Sequence, residues 1–388
     1  MSFSSSTTSA HRIAERVANF VRTVVVEYEQ DPRWGPHGPT DELANDLKER
    51  ARAAGVMNPH VAADGNYLSH KDTAVVLRAA GLSPLGPVAV NAAAPDEGNM
   101  YLLYRIGTAE QKARFLRPLL EGRTRSAFFM TEPALEGGAG SDPSMLQTVA
   151  SIEGDGWRIR GRKAFITGAE GASVGIVMAK TDAGATLFVV PLPDPAVRIE
   201  RIVSTLDGSM PGGHAIVLLE GLRVSADQVL GQVNRGFENA QVRLAPARLT
   251  HCMRWLGAAT RANEIAIQYA ISRHAFGKAL IDHEGVGFML ADNLIDLKQS
   301  ELMIDWCASV LDSGNLGITE SSMTKVAVSE ALYRVADRCV QVMGAIGVSA
   351  DTIVSRVFSE IRGFRIYDGP TEVHKWYLAK KIKRDAAT

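Results

Sequence analysis

The feature that most constrains the fold is a change of residue pattern that occurs twice along the 388-residue chain. Up to residue 125, stretches rich in Ala, Leu, Glu and Arg alternate with short segments rich in Gly and Pro, which is typical of helices. From 126 to 235 the chain carries short β-rich runs between clusters of Gly, Asp and Pro, which indicates an antiparallel β domain. From 236 onward the helical pattern returns.

The last block shows its helical period in a stripe of apolar residues spaced three and four apart. The stripe predicts a helix with one buried face, and it consists of Val328, Leu332, Val335, Cys339 and Val342. We therefore predict an α+β protein with an N-terminal helical domain over 1–125, a middle antiparallel β domain over 126–235 and a C-terminal helical bundle over 236–388. In the first domain, Thr108 and Gln111 have the spacing of a capping box.

Composition argues against several classes of function. The formal net charge is −1, which predicts no partner nucleic acid and no anionic membrane surface. The three cysteines, Cys252, Cys307 and Cys339, are widely spaced, so we expect buried thiols in a reducing compartment and no disulfide framework or metal site. No apolar run has membrane-spanning length and the N-terminus has no secretory apolar region, so we expect a cytoplasmic protein.

Motifs for nucleotide-phosphate and hydrolase chemistry are missing from the sequence. No glycine-rich dinucleotide fingerprint follows a predicted strand, and neither a P-loop nor a serine nucleophile elbow occurs. If the protein is an enzyme, its reactivity must therefore come from a cofactor. The alternative is that it has no catalytic activity.

Four segments, in order along the chain, together resemble the acyl-CoA dehydrogenase family. They are FFMTEPALEGGAGSD at 128–142, GRKAFITG at 161–168, YAISRHAFGK at 269–278 following Arg248, and QVMGAIG at 341–347 joined to IYDGPTEV at 366–373. Three shorter segments resemble the branch that contains mammalian acyl-CoA dehydrogenase family members ten and eleven: PDEGNM at 95–100, HCMR at 251–254 and DGP at 368–370.

The resemblance implies a fold, a cofactor and partners. It implies helical, β and helical domains in that order, and a flavoprotein that binds FAD. It also implies an acyl-CoA substrate, an electron-transfer flavoprotein as electron acceptor, and assembly into a homodimer or homotetramer.

The resemblance assigns FAD-binding residues to several parts of the chain. Thr131 and Thr167 match hydroxyl groups that hydrogen-bond to the isoalloxazine ring, and Phe165 replaces a tryptophan beside that ring while keeping a flat apolar face. Arg273 and Phe276 match a pair that reaches the pyrophosphate and adenine, on an arm that crosses to a second subunit. The full set is Phe128, Met130, Thr131, Gly140, Ser141, Phe165, Ile166, Thr167, Arg273, Phe276, Glu284, Gln341, Gly344, Ala345, Pro370 and Glu372.

Asp368 is the candidate catalytic residue. It stands where most family members carry glutamate, and removal of the α proton of a thioester requires a positioned base. Some relatives place the base on a distant helix, at the position of Ala247, which cannot accept a proton here. Asp368 is therefore the base that the resemblance offers, with the β hydride passing to the flavin. Ser141, Arg248 and Gly369 are the implied substrate-binding residues.

Several positions depart from the family pattern. Extra residues lie between Pro133 and Gly140, which makes a displaced loop the expectation there. Pro370 replaces a threonine and so removes a hydroxyl and an amide donor. Glu284 and Glu372 stand where glutamine is usual, and Ala345 replaces a glycine.

Three functions remain open from the sequence. The first is acyl-CoA dehydrogenation. The second is an oxidase or monooxygenase similar to nitroalkane oxidases, which share this fold and use an aspartate base. The third is a catalytically silent flavin-binding scaffold, against which the carboxylate, the hydroxyls and the arginines argue. The length, branching and hydroxylation of the acyl chain stay open.

Overall fold

The structure is a computed structural model and describes residues 9–62, 64–140 and 142–387. Its helices are α1 Ser9–Thr23, α2 Asp41–Ala53, α3 His70–Ala80, α4 Gly86–Ala89, α5 Asp96–Ile106, α6 Ala109–Gln111, α7 Arg117–Leu120, α8 Gly236–Ser272, α9 Glu284–Asp312, α10 Ile318–Met343, α11 Ala345–Val348, α12 Val354–Phe364 and α13 Thr371–Asp385. Its strands are β1 Trp34–Gly35, β2 Gly38–Pro39, β3 Ser126–Phe129, β4 Val149–Glu153, β5 Gly156–Thr167, β6 Val174–Thr181, β7 Gly184–Pro191, β8 Val197–Val203, β9 His214–Ser225, β10 His274–Ala275 and β11 Lys278–Ala279.

The chain divides into two compact units. One, here called the sheet unit, consists of Pro32–Lys48 and Ala93–Ala247. The other, here called the helical unit, consists of the described parts of Met1–Asp31, Glu49–Ala92 and Arg248–Thr388. The long helix α8 contributes its first part to the sheet unit and the remainder to the helical unit.

The sheet unit is built on one seven-stranded sheet. The strand order is β3-β6-β4-β5-β9-β8, and β7 pairs with β6. The pairs β4–β5, β5–β9, β8–β9 and β6–β7 are antiparallel, as predicted, whereas β3 runs parallel to β6.

Both faces of the sheet carry an apolar core. Along β6, Val174, Ile176 and Met178 face a cluster that includes residues of α5 and α7. Val177 and Ala179 point to the opposite face, into a second cluster formed with β5, β7 and β9. A strand that is buried on both faces has an almost continuous apolar sequence, which explains the run VGIVMA at 174–179.

In the helical unit, α10 packs against α9, α12 and α13. The stripe predicted from the sequence is buried, since Val328, Leu332, Val335 and Cys339 have no exposed surface and Val342 is 5% exposed. The predicted one-faced helix is therefore confirmed.

The predicted fold class is confirmed, with helices before and after a middle β region. The capping box is also confirmed, because Thr108 accepts a hydrogen bond from the Gln111 amide and its own amide donates to the Gln111 side chain. The boundaries of three domains stay a prediction. Within the described ranges, no helix is both long and apolar enough to cross a membrane. In the same residues no group of three or more His, Cys, Asp or Glu side chains is arranged to hold a metal ion.

Candidate active site

The two segments predicted to contact a flavin ring are joined in the sheet unit. The Thr131 hydroxyl donates to the carbonyl oxygen of Ala164 at 2.6 Å, and the Ala164 amide donates to the Thr131 carbonyl at 3.0 Å. Ala164 and Phe165 form a bulge in β5 between Lys163 and Ile166. Phe165 has a φ of 55° and is 59% exposed. A left-handed backbone is rare for a bulky residue, and it here presents an aromatic ring at the surface of the sheet.

A buried ion pair supports this bulge from inside the sheet unit. Lys163 Nζ lies 3.0 Å from Glu132 Oε1 and donates to the Met130 carbonyl at 3.2 Å. Glu132 also accepts hydrogen bonds from the amides of Gln147 and Thr148 and from the Thr148 hydroxyl. Burial disfavours charge on both groups. Lys163 and these donors nevertheless lower the pKa of Glu132 to about 2, while burial lowers the pKa of Lys163 to about 8. Both are therefore ionised at neutral pH.

Thr167, at the end of β5, belongs to a chain of polar side chains. Its hydroxyl lies 2.9 Å from His214 Nδ1, and His214 Nε2 lies 2.9 Å from Asp207 Oδ2. His214 and Asp207 are both buried, and the three residues belong to the sheet unit.

These residues fit an isoalloxazine ring. The Thr131 hydroxyl gives its proton to Ala164, so its lone pairs remain to accept from a ring N–H. Phe165 offers an exposed flat apolar face. The side chain of Ile166 packs in the sheet core, and its backbone pairs with Ala215 of β9, so this residue positions the bulge from behind.

Other predicted residues of the sheet unit lie nearby in sequence and differ in environment. Phe128 is half-buried, with the Arg243 guanidinium 4.3 Å from its ring centroid, and Met130 is half-buried against the same core. Gly140 ends the extended loop, in which Gly137 adopts a left-handed φ of 80° and accepts a hydrogen bond from Gln147. Ser141 lies outside the described residues.

The predicted adenosine-side arm in the helical unit is a tight hairpin. Strands β10 and β11 pair through a turn at Phe276 and Gly277, both with positive φ. This conformation is favourable for glycine but rare for phenylalanine. Phe276 is 96% exposed, and its ring meets the His283 ring edge-on with 6.3 Å between the ring centroids. Arg273, before the hairpin, and Glu284, at the start of α9, are exposed as well.

The segment after α10 also suits a bound cofactor. Gly344 has a φ of 58°, and a side chain built there would meet nothing within 4 Å. The left-handed backbone and the open space above it allow a ligand to approach the main chain closely. Gln341 and Ala345, on either side, are exposed, as is Glu372, while Pro370 precedes α13.

Asp368 lies in the turn between α12 and α13 of the helical unit. Its carboxylate Oδ2 is 3.3 Å from His251 Nε2, and its side chain is 21% exposed. The Asp368 backbone has a φ of 55°, and its carbonyl accepts hydrogen bonds from Arg248 Nε at 3.1 Å and from His374 Nε2 at 3.2 Å. The predicted base and Arg248 are therefore brought together.

Two buried groups surround this turn. Lys325 donates to the carbonyls of Phe364 and Gly369 at 2.7 and 3.0 Å, and burial lowers its pKa to about 8. Burial, together with the cations Arg248 and Lys325, lowers the pKa of His374 to about 4. His374 is therefore neutral at physiological pH. Its one ring proton lies on Nε2, which donates to the carbonyl of Asp368. Gly369, with a φ of 103°, is required here because a Cβ would lie 2.6 Å from His374 Nε2.

Sequence reasoning missed the polar side chains that contact Thr167 and the turn at Asp368. His251 was recognised only as part of a branch segment, although its position four residues after Ala247 places it on the same face of α8. His214 and Asp207 belong to no quoted motif, and only the fold brings them to Thr167. Lys325 and His374 gave no signal, because a lone Lys or His in a helix is ordinarily a solvated or packed residue.

Comparison with known proteins gives a consistent result. Three family models match the chain: Acyl-CoA dehydrogenase, N-terminal domain, over residues 7–123; middle domain, over 127–210; and C-terminal domain, over 234–383. Acyl-CoA dehydrogenase family member 11 of Gallus gallus is 36% identical over 395 aligned residues, which cover 95% of this chain and 50% of the chicken protein. The chain thus spans about half the length of that relative.

Two other relatives are matched over most of their length. A probable acyl-CoA dehydrogenase of Mycobacterium tuberculosis is 36% identical over 90% of this chain and 89% of its own. The solved structure of a putative acyl-CoA dehydrogenase from Mycobacterium abscessus is 33% identical, with a TM-score of 0.86 over 98% of both chains.

Proposed function

This chain belongs to the acyl-CoA dehydrogenase family of FAD-dependent oxidoreductases, and from that premise we propose that it converts an acyl-CoA thioester to the trans-2-enoyl-CoA. Asp368 removes the α proton. FAD, when bound, would supply the acceptor for the β hydride, and the electron acceptor that we propose for the protein is an electron-transfer flavoprotein. The compartment that we propose is the cytoplasm.

The observation that carries the proposal is the environment of Asp368. Its carboxylate is partly buried, contacts His251, and lies on a turn whose carbonyls accept from Arg248, His374 and Lys325. A base acts efficiently when its position is held before the substrate arrives. An ordinary surface turn would not need donors from two buried side chains, Lys325 and His374, and from the partly buried Arg248 on its main chain.

The chain's own residues provide the other requirements of the reaction. Thr131 and Phe165, held by the bulge in β5, would orient the ring of FAD. Gly344 would let the cofactor approach the backbone after α10. Arg248 fixes the carbonyl of Asp368 by a hydrogen bond from its guanidinium.

We also propose that the protein acts as a homodimer or homotetramer. The Phe276 ring is almost fully exposed on a hairpin with an unfavourable backbone for phenylalanine. A phenylalanine held in a rare backbone conformation at the tip of a hairpin supports a role in contact with a second molecule. A second copy of the chain, presenting its cofactor to this hairpin, is the partner that the family resemblance implies.

The test is the substitution Asp368→Asn in the FAD-loaded protein. We expect it to retain FAD, because the two side chains have similar size, and to slow anaerobic bleaching of the flavin by acyl-CoA by about 10²–10⁴-fold. Stopped-flow absorbance over a panel of acyl-CoAs measures the rate and identifies the preferred acyl chain.

The outcomes separate the proposal from its alternatives. Bleaching by Asp368→Asn within a few-fold of the parent would exclude Asp368 as the base. Rapid re-oxidation of the bleached flavin by air would indicate an oxidase. A flavin that no acyl-CoA bleaches in the parent protein would indicate a silent scaffold.

A further inference from the structure

The Asp207–His214–Thr167 chain has the geometry of a hydrogen-bond relay. Both contacts are 2.9 Å long, one to each ring nitrogen of His214. Thr167 and His214 are register partners on the adjacent strands β5 and β9, so the sheet itself sets their separation. Asp207 lies between β8 and β9, in a loop where Trp34 Nε1 donates to the next carbonyl, that of Gly208, at 2.6 Å.

The relay has a defined direction. A carboxylate accepts hydrogen bonds and cannot donate them. Asp207 is buried, but the hydrogen bond from His214 lowers its pKa, so it is ionised at neutral pH. His214 Nε2 must therefore carry a proton and donate to Asp207. In the neutral imidazole Nδ1 is then the acceptor, and the Thr167 hydroxyl donates to it.

This direction decides what Thr167 offers to a ligand. Its single proton points to His214, so the oxygen presents only lone pairs to a bound group. In oxidised flavin N5 is an acceptor, whereas reduced flavin carries an N5–H donor. An acceptor hydroxyl favours the reduced form over the oxidised form.

We propose that Asp207 and His214 are positioning residues that hold the Thr167 hydroxyl as an acceptor and thereby raise the reduction potential of the bound FAD. The inference rests on the proposed function in one respect, that Thr167 contacts the flavin ring. It concerns the equilibrium between the two forms of the cofactor and is separate from proton removal by Asp368.

The decisive variant is Asp207→Asn. An amide can donate to His214 Nε2, which moves the imidazole proton to Nδ1. His214 then donates to the Thr167 oxygen, and the Thr167 proton is free to point to the ligand, so the hydroxyl becomes a donor to the flavin. We expect the equilibrium between oxidised and reduced FAD to change about tenfold toward the oxidised form, which for a two-electron couple is about 30 mV. The potential is measured on the FAD-loaded protein without substrate, by equilibration with a reference dye.

Two substitutions of His214 provide a second test of the same idea. Glutamine has an amide that donates to Asp207 and an oxygen that accepts from Thr167, so His214→Gln should keep the parent potential. His214→Leu has neither group and should lower the potential as Asp207→Asn does. If Asp207→Asn does not fold, this comparison still decides the proposal.

The background Thr167→Val separates a relay from a general structural effect. Valine is similar in shape to threonine but lacks the hydroxyl, so in this background Asp207→Asn and His214→Leu should no longer change the potential. An unchanged potential in Asp207→Asn or His214→Leu, or an equal decrease in the Thr167→Val background, would overturn the inference. If the parent does not bind FAD, the proposed function fails. If all variants bind FAD with one potential, only the relay fails.

Discussion

Replacing Lys163 by methionine tests what stabilises the bulge that Ala164 and Phe165 form in β5. The substitution keeps an unbranched side chain of similar length and removes the cation. Lys163 has no exposed surface and Glu132 is 3% exposed, so Glu132 would be left as a buried carboxylate without its counter-ion. Breaking a buried ion pair by removing one partner costs about 3–5 kcal/mol. We expect the free energy of unfolding of Lys163→Met to fall by about this amount.

The pKa of Glu132 gives a similar value for the expected loss in the free energy of unfolding. Its decrease from 4.5 to about 2 corresponds to about 3 kcal/mol of stabilisation of the ionised form. Because the folded pKa is below the unfolded value, this stabilisation is complete above pH 4.5 and is lost as the pH falls toward 2. The difference in the free energy of unfolding between the parent and Lys163→Met should therefore become smaller as the pH falls from 4.5 toward 2, because protonation of Glu132 removes the unpaired charge.

Thermal melting of the FAD-loaded protein between pH 3 and pH 7.5 measures the effect. Arg162→Met is a matched control at the adjacent position, because Arg162 pairs with Glu136 and Glu200 at an exposed site where ion pairs contribute little. The double variant Glu132→Gln/Lys163→Met should recover part of the loss. Equal melting temperatures for Lys163→Met and Arg162→Met would refute the reasoning. A loss of stability in Lys163→Met that does not depend on pH would refute it as well.

Two further predictions concern the proposed base and the proposed assembly. His251→Leu should slow anaerobic flavin bleaching by roughly tenfold at unchanged FAD content, because it removes the group facing the Asp368 carboxylate. His251→Gln should slow bleaching less. Equal bleaching rates for the parent, His251→Leu and His251→Gln would contradict the prediction. Phe276→Ser should shift the oligomer toward monomer in light scattering, whereas Leu135→Ser, at another fully exposed apolar position, should leave the mass unchanged. A Phe276→Ser protein with the parent mass would exclude this hairpin as an interface.

The residue pattern predicts the fold class because the blocks differ in kind, with apolar residues three and four apart in the helical block and short continuous apolar runs in the β block. The stripe from Val328 to Val342 and the β runs from 174 to 190 are both explained by burial on the faces that the pattern indicates. The parallel pairing of β3 with β6 could not be predicted. The residues of a strand indicate its burial but not the direction of its neighbour, which depends on how the whole sheet is connected.

Candidate site residues could be proposed from the sequence where they belong to contiguous motifs, as with Thr131, Phe165 and Asp368, and their roles stay a prediction. Residues that reach the site only through tertiary structure were not. His214 meets Thr167 because two strands pair in one register, and a one-residue slip would turn it to the other face. Lys325 of α10 contacts the turn at Asp368 through a hydrogen bond to the carbonyl of Gly369.

The structure also accounts for aspartate at a position where glutamate is usual in the family. Its turn is clamped through main-chain carbonyls: Lys325 holds Phe364 and Gly369, while Arg248 and His374 hold Asp368 itself. Aspartate has one side-chain torsion fewer than glutamate, so the position of its carboxylate follows the backbone more closely. A fixed backbone therefore suits a shorter carboxylate in the role proposed for Asp368, and a glutamate here would regain a side-chain freedom that the fixed turn removes.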